Sequence, residues 1–354
     1  MAEMDSRKRL VLKEIVDRYI KSGQPVSSQA LLSDYGLSVS SATIRNDMKA
    51  LEEAGYITKA YHSAGRVPTE RGYRFFVDWL VELSELGHQE QHAITESYEF
   101  QHQEIGALLR QTALLLAKIG GYAGFVLSPR IEQTRLRSIL LVRLDETNVL
   151  VAILSELGLI ETRMVHSTLS EAELAETVAL LNRRLRGQRL AEIRNEAIRF
   201  SETEGWSKGT VRQAFTLLRE AIDRHAKRRL YTEGLVQLLQ QMIAERCDLE
   251  EMQALAALSG DPARLAAYLY RQADNQTRAL IGAENTLEAL RRSSLVLQSY
   301  GFGGVLGLLG PVQMNYSKAF SVTQYVSNRL RAILTVAQRD SRAASASGGK
   351  LSDA

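Results

Sequence analysis

Cysteine is nearly absent from this chain. Cys247 is the only one in 354 residues, so no intramolecular disulfide can form, and a reducing cytoplasm is the expected location. Long apolar runs are missing too. The best stretch, Tyr300 to Leu309, is broken by glycines and falls well short of the ~20 residues of a membrane helix. The N-terminus MAEMDSRKRL lacks the apolar centre of a signal peptide, so no membrane partner is expected. A strong charge of either sign is lacking. The net is only +3, so any attraction to a polyanion must be local to one patch. No Ser-His-Asp or paired-carboxylate arrangement stands out, so neither an enzyme nor a cofactor is expected. His88 and His92 are four residues apart, with Glu96 and His102 beyond. The Glu is misplaced for an HExxH site, so a solvated face is the expectation and no metal is assigned. The glycine run Gly301 to Pro311 is not followed by Lys-Ser/Thr and is not a P-loop. It reads as a closely packed strand with a turn at Gly310-Pro311.

What the chain does have is concentrated between Ser40 and Pro68. Ser40 or Ser41 can cap a helix. Ile44, Met48 and Leu51 recur at i, i+4 and i+7 and form its buried face. Ala42, Arg45, Asn46 and Lys49 point the opposite way. Small residues at the start allow close approach to a groove, while Arg and Asn can make paired hydrogen bonds to guanine and adenine edges. Upstream, Leu12, Ile15, Val16, Tyr19 and Ile20 make an amphipathic helix that stops at Gly23 and Pro25. A second short helix carries Ala30, Leu31 and Leu32. Downstream, Gly-Tyr-Ile leads into an extended run and the turn Ser63-Ala64-Gly65-Arg66. There Gly65 permits the turn, and Arg66 sits where it can enter a minor groove. Three capped helices and a basic wing predict a winged helix-turn-helix, with the third helix reading bases. A charged helix face alone is usually just solvated, and some winged helices bind protein instead.

The order of these segments resembles the family of bacterial heat-inducible transcription repressors, HrcA. The matching stretches are Ile15 to Ile20, Gly23 to Ser28, Ser41 to Met48, Leu51 to Ile57, Ser63 to Thr69 and Gly72 to Asp78. Near the other end, Ile281 to Asn285 and Gly310 to Ser317 also match. The chain departs from the family pattern at Ser27, Gln29, Ala60-Tyr61-His62, Gly120-Gly121 and Gln313. The resemblance implies a homodimer that binds an inverted-repeat operator in double-stranded DNA upstream of chaperone operons. It implies that the GroEL chaperonin keeps the protein in its active form. It also implies an α+β multidomain fold: a winged helix, then a GAF-like α/β domain interrupted by an all-helical dimerisation insert. The DNA-binding residues expected are Ser41, Ala42, Thr43, Arg45, Asn46, Lys49, His62, Ser63, Gly65 and Arg66. A GAF-like domain also leaves open a metabolite-sensing repressor, although no residue identifies a ligand.

The remaining chain divides accordingly. The winged domain is expected over 1–86, with Arg74 to Leu86 continuing as a helix, followed by a polar linker over 87–102. The GAF-like domain takes 103–187 and 275–340. Within it, Ile105 to Ile119 reads as a helix, Leu136 to Leu144, Val149 to Leu154 and Gly158 to His166 as strands, and Glu171 to Leu185 as a helix. Asp145 to Asn148 makes the first turn. These strands predict one antiparallel sheet with helices on one side. Strand character vanishes over 188–274, the expected helical insert, with helices over Val211 to Tyr231, Gly234 to Cys247 and Leu265 to Leu269. Arg278 to Asn285 and Gly303 to Leu309 restore strand character. Ser317 to Gln338 closes the fold as a helix, and the small polar residues of 341–354 predict a disordered tail.

Overall fold

The computed structural model describes residues 4–34, 40–60, 65–83, 85–98, 104–196, 229–244, 252–253 and 261–348. The winged unit comprises α1 (Ser6–Ser22), α2 (Ser28–Asp34), α3 (Ser41–Glu53), β1 (Ile57–Lys59), β2 (Arg66–Pro68) and α4 (Glu70–Phe75). The α1 helix ends where expected, at Gly23, whose φ of 64° suits glycine. Beyond α4 the predicted helix does not run to Leu86. A π-helical turn, Phe76–Leu80, ends at Val81, which is extended with ψ 124°. The linker then contains α5 (His88–Ser97).

A five-stranded antiparallel sheet forms the body. It contains β3 (Ala123–Leu127), β7 (Leu230–Glu233), β8 (Arg278–Ile281), β9 (Ser293–Gly301) and β10 (Gly304–Pro311), in the order β7-β3-β10-β9-β8. Its two faces follow from the alternation of strand side chains. Val126, Leu306 and Leu308 face α6 (Ile105–Gly120) and α11 (Tyr316–Gly348), joining Leu116, Val322 and Val326. Phe125, Leu127, Val305 and Leu309 face the other way, against Leu238 of α9 (Leu235–Ala244) and Leu265 and Leu269 of α10 (Pro262–Gln272). Gly124 lets α6 lie directly on β3, because a Cβ there would stand 2.2 Å from the Ala113 carbonyl oxygen.

The three expected strands form, but not in this sheet. β4 (Leu136–Arg143), β5 (Asn148–Ser155) and β6 (Ile160–His166) make a separate antiparallel sheet. Its inner face packs Ile139, Val149, Val151 and Ile153 against Leu174, Leu181 and Leu185 of α7 (Glu171–Leu185), and against Leu190 and Ile193 of α8 (Leu190–Glu196). Asn182 of α7 caps the outer edge of β4, accepting from the Ile139 N–H at 2.7 Å and donating to its carbonyl at 2.8 Å. The expected turn at Asp145 is present, with its carboxylate accepting from the N–H groups of Thr147 and Asn148.

The chain leaves the large sheet after β3 and returns to it at β7. The Ser128 N–H donates to the Arg229 carbonyl at 2.9 Å, and the Arg229 N–H donates back to the Ser128 hydroxyl at 3.2 Å. The excursion is therefore clamped at its two ends, side by side, and has its own core. This corrects two expectations. The segment 103–187 is split between two sheets, because β3 pairs with β7 and β10 while β4 to β6 pair only with one another. The segment 188–274 is not all helical, because Leu230–Glu233 is an edge strand paired to β3. Most of the helix expected over Val211 to Tyr231 lies outside the described residues, and its last two residues belong to that strand. The Leu230–Tyr231 pair is strand because it supplies edge hydrogen bonds to Val126 and Leu127.

The C-terminal helix is longer than expected. It runs to Gly348, so the tail does not begin at residue 341. The tight turn of the glycine run lies between β9 and β10, at Gly301, Phe302 and Gly303, all with positive φ. The Gly310-Pro311 pair closes β10 instead. Close packing is present as expected: a Cβ at Gly307 would stand 2.1 Å from the Val296 carbonyl oxygen. Substituting Gly124→Ala is expected to force α6 off β3 and to destabilise the protein by about 1–3 kcal/mol, read as a lowered urea midpoint. Gly121→Ala at the exposed end of α6, where nothing lies within 4 Å, tests instead the cost of positive φ alone.

Candidate nucleic-acid interface

Helix α3 presents the predicted face. Ser40 caps it, accepting from the Thr43 N–H at 3.2 Å. Ile44, Met48 and Leu51 are buried against Val11, Leu12, Ile15 and Val16 of α1. Ala42, Arg45, Asn46 and Lys49 are exposed, while Ser41 and Thr43 are half-buried. The Arg45 Nε lies 3.4 Å from the Ser28 hydroxyl of α2, so the two helices share this side chain loosely. Lys49 has only a 3.8 Å contact with Glu53, with both side chains exposed. A contact of that length in water holds little energy and leaves the ammonium available to a phosphate.

One residue of the buried stripe is charged. Asp47 is 3% exposed and sits beside Ile44, Met48 and Leu51. A buried carboxylate requires a partner. Arg7 of α1 supplies it with a fork, Nε to Oδ2 at 2.6 Å and Nη2 to Oδ1 at 3.1 Å. Local sequence does not reveal this pair. A charge falling on the apolar stripe is its signal, but the partner lies 40 residues away and no local pattern names it.

The wing forms as β1 and β2, with Lys59 opposite Arg66. Its residues play different parts from those expected. Gly65 does not have a positive φ. It is buried against Pro25, and a Cβ there would lie 2.6 Å from the Pro25 Cβ, so glycine is required for close approach. Arg66 does not project freely. Its guanidinium donates to Glu52 of α3 through Nε at 3.1 Å and Nη2 at 2.9 Å, and the side chain is 18% exposed. Its backbone exchanges two hydrogen bonds with Val26, both 2.9 Å. In this arrangement Arg66 braces the wing to α3. His62 and Ser63 lie outside the described residues. The structure thus brings Ser41, Ala42, Thr43, Arg45, Asn46 and Lys49 onto one helix, with Gly65 and Arg66 behind them as support.

Comparisons with known proteins agree with this geometry. The family described as DeoR-like helix-turn-helix domain matches residues 13–69. The family described as HrcA protein C terminal domain matches residues 106–320. The chain is similar to the heat-inducible transcription repressor HrcA of Pelotomaculum thermopropionicum, 32% identical over 340 residues, covering 94% of this chain and 97% of the relative. It is similar to the repressor of that name in Halalkalibacterium halodurans, 32% identical over 346 residues, covering 94% and 98%. A hypothetical protein with a crystal structure at 2.2 Å resolution matches with a TM-score of 0.58 and 26% identity, over 94% of this chain and 98% of that one.

Removing the guanidinium by Arg7→Met is expected to lower the urea midpoint, because the buried Asp47 carboxylate loses its forked partner. Adding Asp47→Asn to that variant is expected to recover part of the loss. Urea melts of the single and double variants check both. Arg45→Ala is expected to weaken binding by about 1–3 kcal/mol on sequences whose base it reads, and to relax preference at that position. Lys49→Ala is expected to weaken all duplexes about equally and to flatten the salt dependence. Titration of fluorescent duplexes at several salt concentrations separates the two.

Proposed function

This chain belongs to the HrcA family of heat-inducible transcription repressors, and on that premise we propose that two copies together bind an inverted-repeat operator of a chaperone operon. The observation that carries the reading is the braced recognition helix, whose free face holds Ala42, Arg45, Asn46 and Lys49. Arg and Asn on such a face suit base edges in the major groove, and Lys49 suits phosphate. The protein is a repressor by family, a role that needs no catalysis. We read the five-stranded body as the GAF-like domain and the clamped excursion as the inserted unit.

A two-fold operator calls for a two-fold protein. The outer face of the small sheet is the support for pairing. Leu140, Val142, Ile160 and Met164 are 55%, 48%, 60% and 66% exposed there. Val142 stands opposite Leu150, Leu150 opposite Met164, and Leu154 opposite Ile160, so these apolar side chains adjoin across three strands. A continuous apolar face of this kind is uncommon on a monomer. The second copy is the occupant that two-fold DNA reading requires. We place the dimer face on this sheet rather than on the expected segment 188–274, about half of which lies outside the described residues.

The chaperonin GroEL is the proposed guardian of the active form, in the cytoplasm. A lone protomer would show the apolar sheet face to solvent, and apolar surface is what a chaperone captures. The competing reading is a metabolite-sensing repressor. Its support is an apolar cavity of about 70 Å³ lined by Phe125, Leu230, Leu265 and Leu269, a space far smaller than a typical ligand pocket.

Met164→Lys is expected to shift the protein from dimer to monomer in sedimentation and to lower operator affinity by about 100-fold or more, since a half-site alone loses avidity. A Met164→Lys protein that remains dimeric and binds normally contradicts the interface. Adding GroEL and ATP to wild type is expected to raise the fraction able to bind operator. An unchanged fraction sets the chaperonin role aside and turns attention to the cavity.

A further inference from the structure

The winged unit is not strung from the body on a loose tether. It is docked there at a compact junction centred on α4. The Arg74 guanidinium forks onto Glu284, Nε to Oε1 at 2.8 Å and Nη2 to Oε2 at 3.1 Å. The same Nη2 donates to the Ala279 carbonyl of β8 at 2.9 Å, and Nη1 reaches Asp78 at 2.9 Å. The Glu284 carboxylate also accepts from the Ile281 N–H at 2.9 Å, so it holds the turn that follows β8. One turn earlier on α4, Glu70 accepts from the Ala283 N–H at 3.1 Å. Gly282 makes this approach possible. Its φ is +53°, and a Cβ there would lie 2.1 Å from the Glu70 carboxylate.

The junction has apolar depth. Tyr73 is 2% exposed and meets the Tyr316 ring with centroids 5.9 Å apart. The Tyr316 hydroxyl is shared with Ser294 of β9 at 2.7 Å and donates to the Val312 carbonyl at 2.7 Å. Beyond it, Lys13 of α1 pairs with Glu82 at 2.7 Å, and the Ser317 hydroxyl donates to the Glu82 carbonyl. Contacts from α4, and from residue 82, which Lys13 ties to α1, thus meet the turn after β8 and the start of α11. They fix orientation as well as distance.

In a protein that reads two half-sites, that orientation decides where the two recognition helices stand. We propose that Arg74, acting through Glu284 with Glu70 seated on Gly282–Ala283, is the positioning residue that sets the half-site spacing this repressor accepts. The inference rests on the reading of a dimer on an inverted repeat. A stiff frame gains avidity only when both half-sites fall in its reach, and a slack frame accepts a range. Each base pair added to the spacer turns one half-site against the other by about 35°, so a stiff frame discriminates sharply. The substituted side chains make no contact with α3, so base preference within a half-site should not follow the change.

The test titrates full-length protein, at one salt concentration, onto operators with identical half-sites. Their spacers are the preferred length, or one or two base pairs longer or shorter, and one duplex carries a single half-site. For wild type the two-base-pair displacement is expected to weaken binding about 100-fold. For Arg74→Ala and Glu284→Gln the same displacement is expected to cost less than about tenfold, with single half-site binding unchanged. Glu284→Gln keeps an oxygen for the Ile281 N–H, so it decides the matter if Arg74→Ala does not fold. Wild-type sharpness retained in Glu284→Gln overturns the proposal and leaves the two-fold reading standing. A wild type that ignores spacer length, or binds two half-sites no better than one, overturns the two-fold reading and this proposal with it.

Discussion

One apolar cluster joins the part of this molecule that meets DNA to the part that carries the rest of the chain. It begins with Val11, Leu12 and Ile15 of α1, takes in Ile44 and Leu51 of α3, passes through Tyr73 and Phe76, and continues into Val296, Leu306 and Val326 of the body. Close-packed interiors transmit displacement because they leave little free space to absorb it. Helix α3 is therefore held from behind by the same core that backs the large sheet. Polar contacts add direction to that packing. Arg7 fixes α3 to α1 through Asp47, Arg66 fixes the wing to α3 through Glu52, and Arg74 fixes α4 to the body through Glu284. These three arginines are engaged in contacts within the protein, whereas Arg45, Asn46 and Lys49 face outward from α3.

That division explains how a chain with a net charge of only +3 can address a polyanion. The attraction does not need a field spread over the whole surface. It needs a small cationic face whose geometry is fixed, because base contacts specify and phosphate contacts position. The clamped excursion between Ser128 and Arg229 serves a different need. It carries a core of its own, so it can present an apolar sheet face without disturbing the five-stranded body.

The winged unit was legible because its signals are local. Helical periodicity, Ser40 as a cap and Gly23 as a stop all act within a few residues. The strands β4, β5 and β6 were legible from their turns and alternation. β3 and β9 were not, because every residue of Ala123–Leu127 is buried, as are the first six of Ser293–Gly301. A strand covered on both faces loses the alternation that would reveal it. β7 is four residues of edge strand whose pairing with β3 depends on a partner more than 100 residues away, beyond any local pattern. The division of β4 to β6 from the large sheet is likewise a long-range choice. At the site, exposure of Ala42, Arg45, Asn46 and Lys49 followed from helix geometry. The positions of Gly65 and Arg66 did not, since Pro25 and Glu52 claim them through tertiary contacts.

On the proposed reading, two copies of α3 contact the two arms of one operator. Footprinting of the wild-type protein on the promoter of its own chaperone operon tests it most directly. Two protected arms related by a two-fold axis are expected, gained together over one narrow range of protein concentration. Protection of a single arm, or none from protein shown to be folded and dimeric, would contradict it.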